Sequence, residues 1–316
     1  MSAPVEHVQS MLTATGDQAA TIFDVWTLMV WICGTVYVAI LVWLGFVLLT
    51  RVRATSTGQA RDPMLHKALL AFALLVVGLL TWLVAASYLT DRRLHAGKEA
   101  LTVRITAKQW WWQVEYLDPD LTKQFVTANE LHLPRDRTVK VELRAADVIH
   151  SFWIPTISGK EDLIPGHANA ILLTPRVAGR FRGQCAEFCG LQHAHMALDV
   201  MVDTPAAFEQ WKARQLQPAA APTTDSAQRG AKVFTTTACM TCHSIRGTTA
   251  GSHVGPDLTH LASRSTIAAG ALPMDRKALA SWLANPQKHK PGANMPAVPL
   301  TQQDMDGVVD YLMELH

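Results

Sequence analysis

Charge of either sign is scarce in this sequence. Only 17% of its 316 residues are Asp, Glu, Lys or Arg, and their balance leaves a formal net charge of +2. A chain without a strong field of one sign lacks the long-range attraction on which nucleic-acid binding depends, so we expect no nucleic-acid partner. The length leaves room for two or three domains.

Two stretches lack charged residues altogether. Residues 25–50 form a run of 26 and residues 68–90 a run of 23. About 20 apolar residues let a helix cross the roughly 30 Å hydrocarbon core of a bilayer, and helices of soluble proteins seldom lack a polar face over such a length. The sequence therefore predicts a transmembrane helical hairpin within residues 1–95. A cleaved signal peptide fits poorly, because no Lys or Arg precedes the first run.

The segment between the two runs is basic. Arg51, Arg53, Arg61 and Lys67 outnumber its single acid, Asp62. By the positive-inside rule this loop is cytoplasmic. The sequence therefore predicts a two-pass protein whose termini, and everything after residue 90, lie on the extracytoplasmic side.

The remainder divides by pattern. From residue 96 to 212, apolar and polar residues alternate, most clearly in Val103/Ile105/Ala107, Val139/Val141/Leu143 and Leu198/Val200/Val202. Period two with short turns predicts an antiparallel β-sandwich or barrel. Residues 213–228, rich in Ala, Pro and Thr, predict a linker. Residues 229–316 carry short helical patterns and predict an all-α domain, whose last helix opens on a capping box of Thr301 and Asp304.

Cysteine is also rare, and the five cysteines form two close pairs and one single residue. Cys33 lies in the first apolar run, where a small buried hydrophobe is the simplest interpretation. Cys185 and Cys189 form the first pair, and Cys239 and Cys242 the second. Export would permit disulfides, but the residues around each pair indicate other chemistry.

The first pair lies in the segment GQCAEFCGLQHAHM, residues 183–196. It supplies two thiols, an imidazole and a thioether, from Cys185, Cys189, His193 and Met196. Thiolate and thioether ligands favour copper, and imidazole suits copper or zinc. A Cys2His2 zinc site could recruit His150 or His195 but has little use for the methionine. We therefore favour copper over zinc or a disulfide.

The pattern Cys-x-Glu-x-Cys-x3-His-x2-Met, preceded by Asp-Val-Ile-His-Ser-Phe at residues 147–152, resembles the dinuclear copper (CuA) motif of cytochrome c oxidase subunit II. The resemblance covers about residues 20–212 and implies a cupredoxin-like β-sandwich at residues 96–212. It implies that the two cysteines bridge both coppers and that the full ligand set is His150, Cys185, the backbone carbonyl of Glu187, Cys189, His193 and Met196. The family motif does not include a copper ligand at the position of His195.

Three acids take further roles from the same resemblance. The side chain of Glu187 matches a residue that binds magnesium at the interface with the catalytic subunit, and a solvated glutamate is the alternative. Asp147 matches an acid near the copper site. Asp62 is a candidate for the mouth of a proton path, and a solvated loop acid is an equal alternative.

The second pair belongs to the sequence CMTCH, residues 239–243, which is a C-x-x-C-H haem attachment site. A thioredoxin-like dithiol would need a βαβ context that this helical region lacks. Here Cys239 and Cys242 would bind the porphyrin and His243 the iron. The region resembles class I cytochromes c, which implies that Met295, in GANMPAVP, is the sixth ligand. The alternatives to Met295 are Met274, Met305 and Met313.

Three consecutive tryptophans open the sandwich region, at residues 110–112. Alternate side chains of a strand point to opposite faces, so at least one of the three must face outward. The segment resembles the aromatic patch of subunit II, which implies that Trp110 is the residue where electrons enter. An aromatic belt at the membrane interface is the alternative.

Oxygen reduction needs a haem facing a copper held by several histidines. Neither apolar run contains a histidine, since His66 only reaches the edge of the second. The oxygen site must therefore lie on a partner chain. The fused haem domain resembles caa-type haem–copper oxidases of the bacterial inner membrane. The resemblance implies a partner subunit I with haem a and CuB, an external donor such as cytochrome c, and oxygen reduction to water coupled to proton translocation.

Three other interpretations remain in view. A quinol-oxidase homologue keeps the fold but loses the copper, and the intact ligand set argues against it. A CuA-bearing subunit of a nitric oxide reductase would have the same copper motif but a different partner. A free-standing membrane electron carrier would have no enzymatic partner.

Overall fold

The computed structural model describes residues 9–50, 63–94, 97 and 99–316. It divides into two compact units, residues 20–96 and residues 97–316 together with the first 19. Asp62 and the basic residues Arg51, Arg53 and Arg61 lie outside the described residues.

Two long helices form the first part of the chain: α1 (Asp17–Thr50) and α2 (Pro63–Leu94). Both are long and apolar enough to cross a membrane, and the apolar window of each is unburied. The two predicted apolar helices are confirmed, but both are longer than residues 25–50 and 68–90. The apolar run marks the part that would lie in lipid, whereas helices continue into polar turns such as the one that contains Arg92 and Arg93.

The next part is a sandwich of two five-stranded sheets. Its strands are β1 (Leu101–Lys108), β2 (Trp111–Leu117), β3 (Phe125–Ala128), β4 (Glu130–Pro134), β5 (Val139–Ala145), β6 (His150–Trp153), β7 (Glu161–Leu163), β8 (Asn169–Leu173), β9 (Gly179–Cys185) and β10 (Ala197–Asp203). The sheet orders are β3-β2-β1-β5-β8 and β4-β10-β9-β6-β7. The predicted β-sandwich is confirmed.

Most strand pairs of the sandwich are antiparallel, as predicted, and two are parallel. β1 pairs with β5 in parallel, and β10 pairs with β4 in parallel, while the other pairs of these sheets are antiparallel. Period-two alternation reports which face of a strand is buried and says nothing about the direction of its neighbour. The face itself was predicted correctly, because Val103, Ile105 and Ala107 are fully buried.

A short helix, α3 (Pro205–Gln215), closes one end of the sandwich. The Thr204 hydroxyl caps it by accepting a hydrogen bond from the Ala207 amide. Its Trp211 packs edge-on against Tyr116, with ring centroids 5.1 Å apart. The helix runs three residues into the predicted linker of residues 213–228, because composition does not locate a helix end.

The last domain contains α4 (Asp225–Thr236), α5 (Cys239–Cys242), α6 (Arg276–Ala284), α7 (Pro286–His289), α8 (Gln302–Met313) and a two-stranded turn of β11 (Thr266–Ile267) and β12 (Leu272–Pro273). α4 begins four residues before the predicted boundary at 229, where Thr224 caps it. The predicted cap of α8 is present, since the Asp304 amide donates to the Thr301 hydroxyl at 3.1 Å. α4 and α8 touch at Gly230, where a Cβ would lie 1.9 Å from the Gly307 carbonyl oxygen.

Candidate metal and haem sites

Strand pairing assembles the first site. β9 ends at Cys185, and β6 begins at His150. β6 and β9 are antiparallel neighbours with Phe152 opposite Cys185, so the imidazole of His150 lies beside the thiol. The loop after β9 then carries Cys189 and turns through a short 3-10 helix, His193–His195, before β10.

The donor atoms predicted from the sequence lie close together. The Sγ atoms of Cys185 and Cys189 are 3.7 Å apart, far beyond the roughly 2.05 Å of a disulfide bond. Cys185 Sγ lies 3.8 Å from His150 Nδ1 and 3.2 Å from the Glu187 carbonyl oxygen. Cys189 Sγ lies 3.7 Å from His193 Nδ1 and 4.0 Å from Met196 Sδ. Each thiol therefore has one imidazole and one weak donor of its own.

This arrangement fits a pair of soft metal ions. Both thiols are buried, at 4% and 3% exposure, and His150 and Met196 are fully buried. Two thiols, two imidazoles, a thioether and a backbone carbonyl would suit copper, which prefers sulfur and nitrogen donors. His195 faces elsewhere, with its Nδ1 2.8 Å from Gln192 Oε1.

Asp147 orients the buried histidine. Its carboxylate lies 2.8 Å from His150 Nε2 and accepts hydrogen bonds from the backbone amides of Gln109 and Val148. Burial by itself lowers the pKa of His150, but the hydrogen bonds to Cys185 and Asp147 outweigh it and raise the pKa overall. This contact leaves Nδ1 directed at the thiols. A hydrogen-bond partner on the second ring nitrogen commonly orients a metal-binding histidine in this way.

The two thiols are unequal. The hydrogen bond with Cys189 lowers the pKa of Cys185; burial opposes this shift, and the contact with His150 supports it. The same hydrogen bond and burial raise the pKa of Cys189. One sulfur is therefore ready to bind a metal as thiolate, and the second loses its proton when metal arrives.

The three tryptophans differ in exposure, as the alternation of side chains along a strand requires. Trp110 is 7% exposed and donates its indole N–H to the Cys189 carbonyl oxygen at 2.9 Å. Trp112 is fully buried, while Trp111 is partly exposed beneath the Lys108 amine, which lies 4.7 Å from its ring centre. The outward tryptophan is therefore Trp111.

Sequence reasoning missed two neighbours of Trp110. Gln109 donates its side-chain amide to the same Cys189 carbonyl at 2.7 Å. Gly190 has φ +111°, and a Cβ there would lie 3.0 Å from Trp110 Cζ2. Both adjoin residues that the sequence did single out, and a glycine directly after a metal-binding cysteine was the available signal.

The second site lies in the α-helical domain. Cys239 and Cys242 are free and half-buried on the single turn of α5. His243 donates through Nδ1 to the Pro256 carbonyl at 2.8 Å, which leaves Nε2 available to a haem iron. A Cβ on Gly255 would lie 2.9 Å from His243 Cε1, so the backbone passes close against the ring. Burial lowers the pKa of His243, and the neutral imidazole is the form that binds iron.

The predicted sixth ligand lies on a stretch without regular structure. Met295 is between α7 and α8, and Gln287 donates to its backbone carbonyl at 3.3 Å. The alternatives Met274, Met305 and Met313 pack against the hydrophobic core of the domain. Core packing explains the positions of these three methionines. Among the four candidate ligands, it does not explain the position of Met295.

Two families match the chain. Residues 117–203 match the periplasmic domain of cytochrome c oxidase subunit II, and residues 227–316 match cytochrome c. Cytochrome c oxidase subunit 2 of Alkalihalophilus pseudofirmus is 33% identical over 222 residues, 70% of this chain and 63% of that protein. The Bacillus subtilis protein of the same name is 30% identical over 258 residues, 78% of this chain and 71% of that one.

A solved structure is also similar. The periplasmic domain of subunit II of cytochrome oxidase from Bradyrhizobium japonicum is 32% identical, with 38% of this chain and 95% of that one covered and a TM-score of 0.35. The chain spans less than two thirds of the length of the A. pseudofirmus relative.

Together these features define a membrane-anchored protein that joins a cupredoxin-like copper domain to a cytochrome c domain. The chain belongs to the cytochrome c oxidase subunit 2 family. The first domain implies a CuA centre and the second a haem.

Proposed function

We propose that this chain is the electron-accepting subunit of a haem–copper terminal oxidase. Electrons from cytochrome c or another external donor enter the haem c domain, pass to the CuA domain and leave for haem a in subunit I. There oxygen is reduced to water, coupled to proton translocation. The observation that carries the proposal is a cluster of six donor atoms: two thiol sulfurs 3.7 Å apart and four further donors around them. Trp110 donates a hydrogen bond to the Cys189 carbonyl beside this cluster.

The copper ligands in this proposal are His150, Cys185, Glu187 through its carbonyl, Cys189, His193 and Met196. Copper bound by these residues would supply one-electron redox chemistry, and Cys185 and Cys189 would provide its thiolate donors. The chain supplies a buried set of donors: β6 and β9 position His150 and Cys185, and Trp110 and Gln109 donate hydrogen bonds to the Cys189 carbonyl.

In this proposal Cys239 and Cys242 would hold the haem covalently, and His243 and Met295 would bind its iron. The Pro256 carbonyl fixes the ring of His243, and Met/His ligation favours a high reduction potential. The carboxylate of Glu187 is proposed to bind magnesium at the interface with subunit I, where one carboxylate plus waters and partner ligands is usual for this ion.

The oxygen site belongs to the partner in this proposal. Within the described residues, the group of candidate metal ligands is His150, Cys185 and Cys189, all in the sandwich. His66, in the first turn of α2, is the single histidine in the described parts of α1 and α2. We place both helices in the bacterial inner membrane, with the copper and haem domains on the extracytoplasmic side.

Isolation of the intact complex tests the proposal. A co-purified multi-helix haem protein that oxidises cytochrome c with oxygen supports it. Turnover with nitric oxide in place of oxygen would indicate a nitric oxide reductase subunit. Recovery of this chain alone, with both redox centres present, would indicate a free-standing carrier.

A further inference from the structure

Lys290 lies at the contact between the haem and copper domains. It follows α7 and is only 3% exposed. Its ammonium donates three hydrogen bonds, to the carbonyl oxygens of Trp110 at 2.7 Å, His195 at 2.9 Å and Ala268 at 3.0 Å. Trp110 and His195 belong to the copper domain, whereas Ala268 belongs to the haem domain. One amine thus joins three backbone segments of two domains.

The three acceptors suit the ammonium form of the lysine, whereas burial disfavours it. A lysine ammonium has three N–H donors and no acceptor, and all three donors are satisfied here by neutral carbonyls. No carboxylate forms an ion pair with Lys290 in the part of the chain that the structure describes. Burial lowers the pKa of Lys290 to about 7, and the nearby Cys189 opposes that shift. An unpaired charge is costly to bury, so a lysine at this position needs a reason beyond packing.

At the same domain contact, the haem domain has two residues with strained backbone. Ala268 and Ala269 have φ of +54° and +58°, a conformation that residues other than glycine rarely adopt. The carbonyl of Ala268 accepts from Lys290, and the carbonyl of Ala269 accepts from the Ala197 amide at 3.0 Å. Both carbonyls of the strained turn are therefore used at the domain contact, as expected where the surrounding structure holds such strain in place.

The residues after Lys290 cover Trp110. The Gln192 side-chain amide donates to the Pro291 carbonyl at 2.9 Å. A Cβ on Gly292 would lie 3.4 Å from Trp110 Cη2 and 3.1 Å from Leu191 Cδ1. The segment that begins at Lys290 reaches Met295 five residues later, so the fixed end of the proposed haem-ligand loop lies on the indole that is bonded to Cys189.

We propose that Lys290 is a positioning residue that latches the Met295 loop of the haem domain onto Trp110 and the copper-binding loop. The assignment of Met295 and of the copper ligands rests on the proposed function, whereas the latch itself is a contact between two domains. Such a contact keeps the two redox domains in one orientation, whereas a flexible linker alone would leave them to associate by chance. Fixing the bound geometry in advance lowers the entropic cost of association between tethered domains.

Wild-type protein gives the first test, with amine-reactive labelling of the full chain in its purified complex. Lys288 is exposed on the same short helix and serves as the internal control. Lys290 should be labelled about a hundredfold more slowly than Lys288, because labelling requires the domains to separate locally. Equal labelling rates would overturn the proposal without any variant, and this readout does not depend on bound metal.

The second test compares Lys290→Met with the control Lys288→Met. The Met variant removes the donor shared by three carbonyls at the domain contact, so the Ala197 amide should exchange with solvent about tenfold faster or more. Electron transfer between the domains should be slower in the same variant. The milder Lys290→Gln should give an intermediate effect, which keeps the test usable if Lys290→Met is poorly produced.

Unchanged exchange of the Ala197 amide in Lys290→Met would overturn the latch, whatever happens to the electron-transfer rate. Wild-type protein without copper would instead count against the proposed function, since the labelling and exchange measurements report on the contact alone.

Discussion

The indole N–H of Trp110 donates to the carbonyl oxygen of Cys189 at 2.9 Å, while the other edge of the same ring faces Gly292 of the haem domain. One side chain thus contacts a proposed copper ligand and the segment that leads to the proposed haem ligand. In the structure Trp110 is covered by the tethered domain, with only 7% of its surface exposed. An external donor therefore cannot reach this ring while the domains are in contact, which favours the haem domain as its partner.

Replacement of Trp110 by Phe should slow electron transfer from the haem domain to copper severalfold or more. The phenyl ring keeps most of the apolar contact but loses the hydrogen bond to Cys189, which contributes about 0.5–1.5 kcal/mol. Flash-induced reduction followed at separate wavelengths measures the step. Trp111→Phe is the matched control, because Trp111 is partly exposed. A normal rate in Trp110→Phe, with an intact copper spectrum, would show that electrons bypass this ring.

Serine at Cys185 or Cys189 should abolish copper binding and leave the haem attached. The hydroxyl oxygen is a harder donor than a thiolate and does not bridge two soft ions. Metal analysis should give two copper atoms per wild-type chain, and paramagnetic resonance should give a multi-line mixed-valence spectrum. Both should be absent in the variants. Cys33→Ser in α1 is the control and should keep both. Stoichiometric zinc in protein from its native membrane would contradict the copper assignment.

The donors of the candidate copper site could be singled out from the sequence because most of them are close together in the chain. Five of the six lie within residues 185–196, and strand pairing supplies only His150 from outside. The two apolar helices and the buried face of the sandwich were equally local, since each follows from a single period. The parallel pairing of β1 with β5 was not predicted, because it depends on which strands meet after folding.

Lys290 shows what sequence patterns omit. A lysine just before Pro291 and Gly292 resembles a solvated helix end, and nothing nearby in the sequence suggests burial. Its three acceptors are residues 110, 195 and 268, which only the packing of two domains brings together. The start of α4 was missed for a simpler reason. Thr224 and Asp225 have linker-like composition but form a helix cap.

Acid should selectively weaken the contact around Asp310 of α8. The Ser226 hydroxyl of α4 donates to this carboxylate and holds the pKa of Asp310 below its usual value, and Arg276 contributes to the shift. A group whose pKa is lower in the folded state contributes stability above its unfolded pKa of about 3.9, and that contribution disappears as the pH falls toward the folded pKa. Asp310→Asn should therefore lower the unfolding temperature most near neutral pH.

Thermal unfolding of the haem-loaded chain, followed by Soret circular dichroism, measures this difference. The gap between wild type and Asp310→Asn should shrink as the pH falls below about 4. Asp306→Asn, on the exposed side of the same helix, should change the unfolding temperature little. A gap that widens on acidification would have the wrong sign and would remove Asp310 from the account.

Replacement of Met295 by Ala should remove the sulfur-to-iron band of the ferric haem in the near infrared. Water or a harder ligand would then occupy the sixth position, and the haem potential should fall, because Met/His ligation raises it. Met305→Ala is the matched control: Met305 packs against the core of the same domain, so that variant should lose stability but keep the band. An unchanged band in Met295→Ala would transfer the ligand role to Met274 or another methionine, and Lys290 would then latch a segment that does not hold the iron.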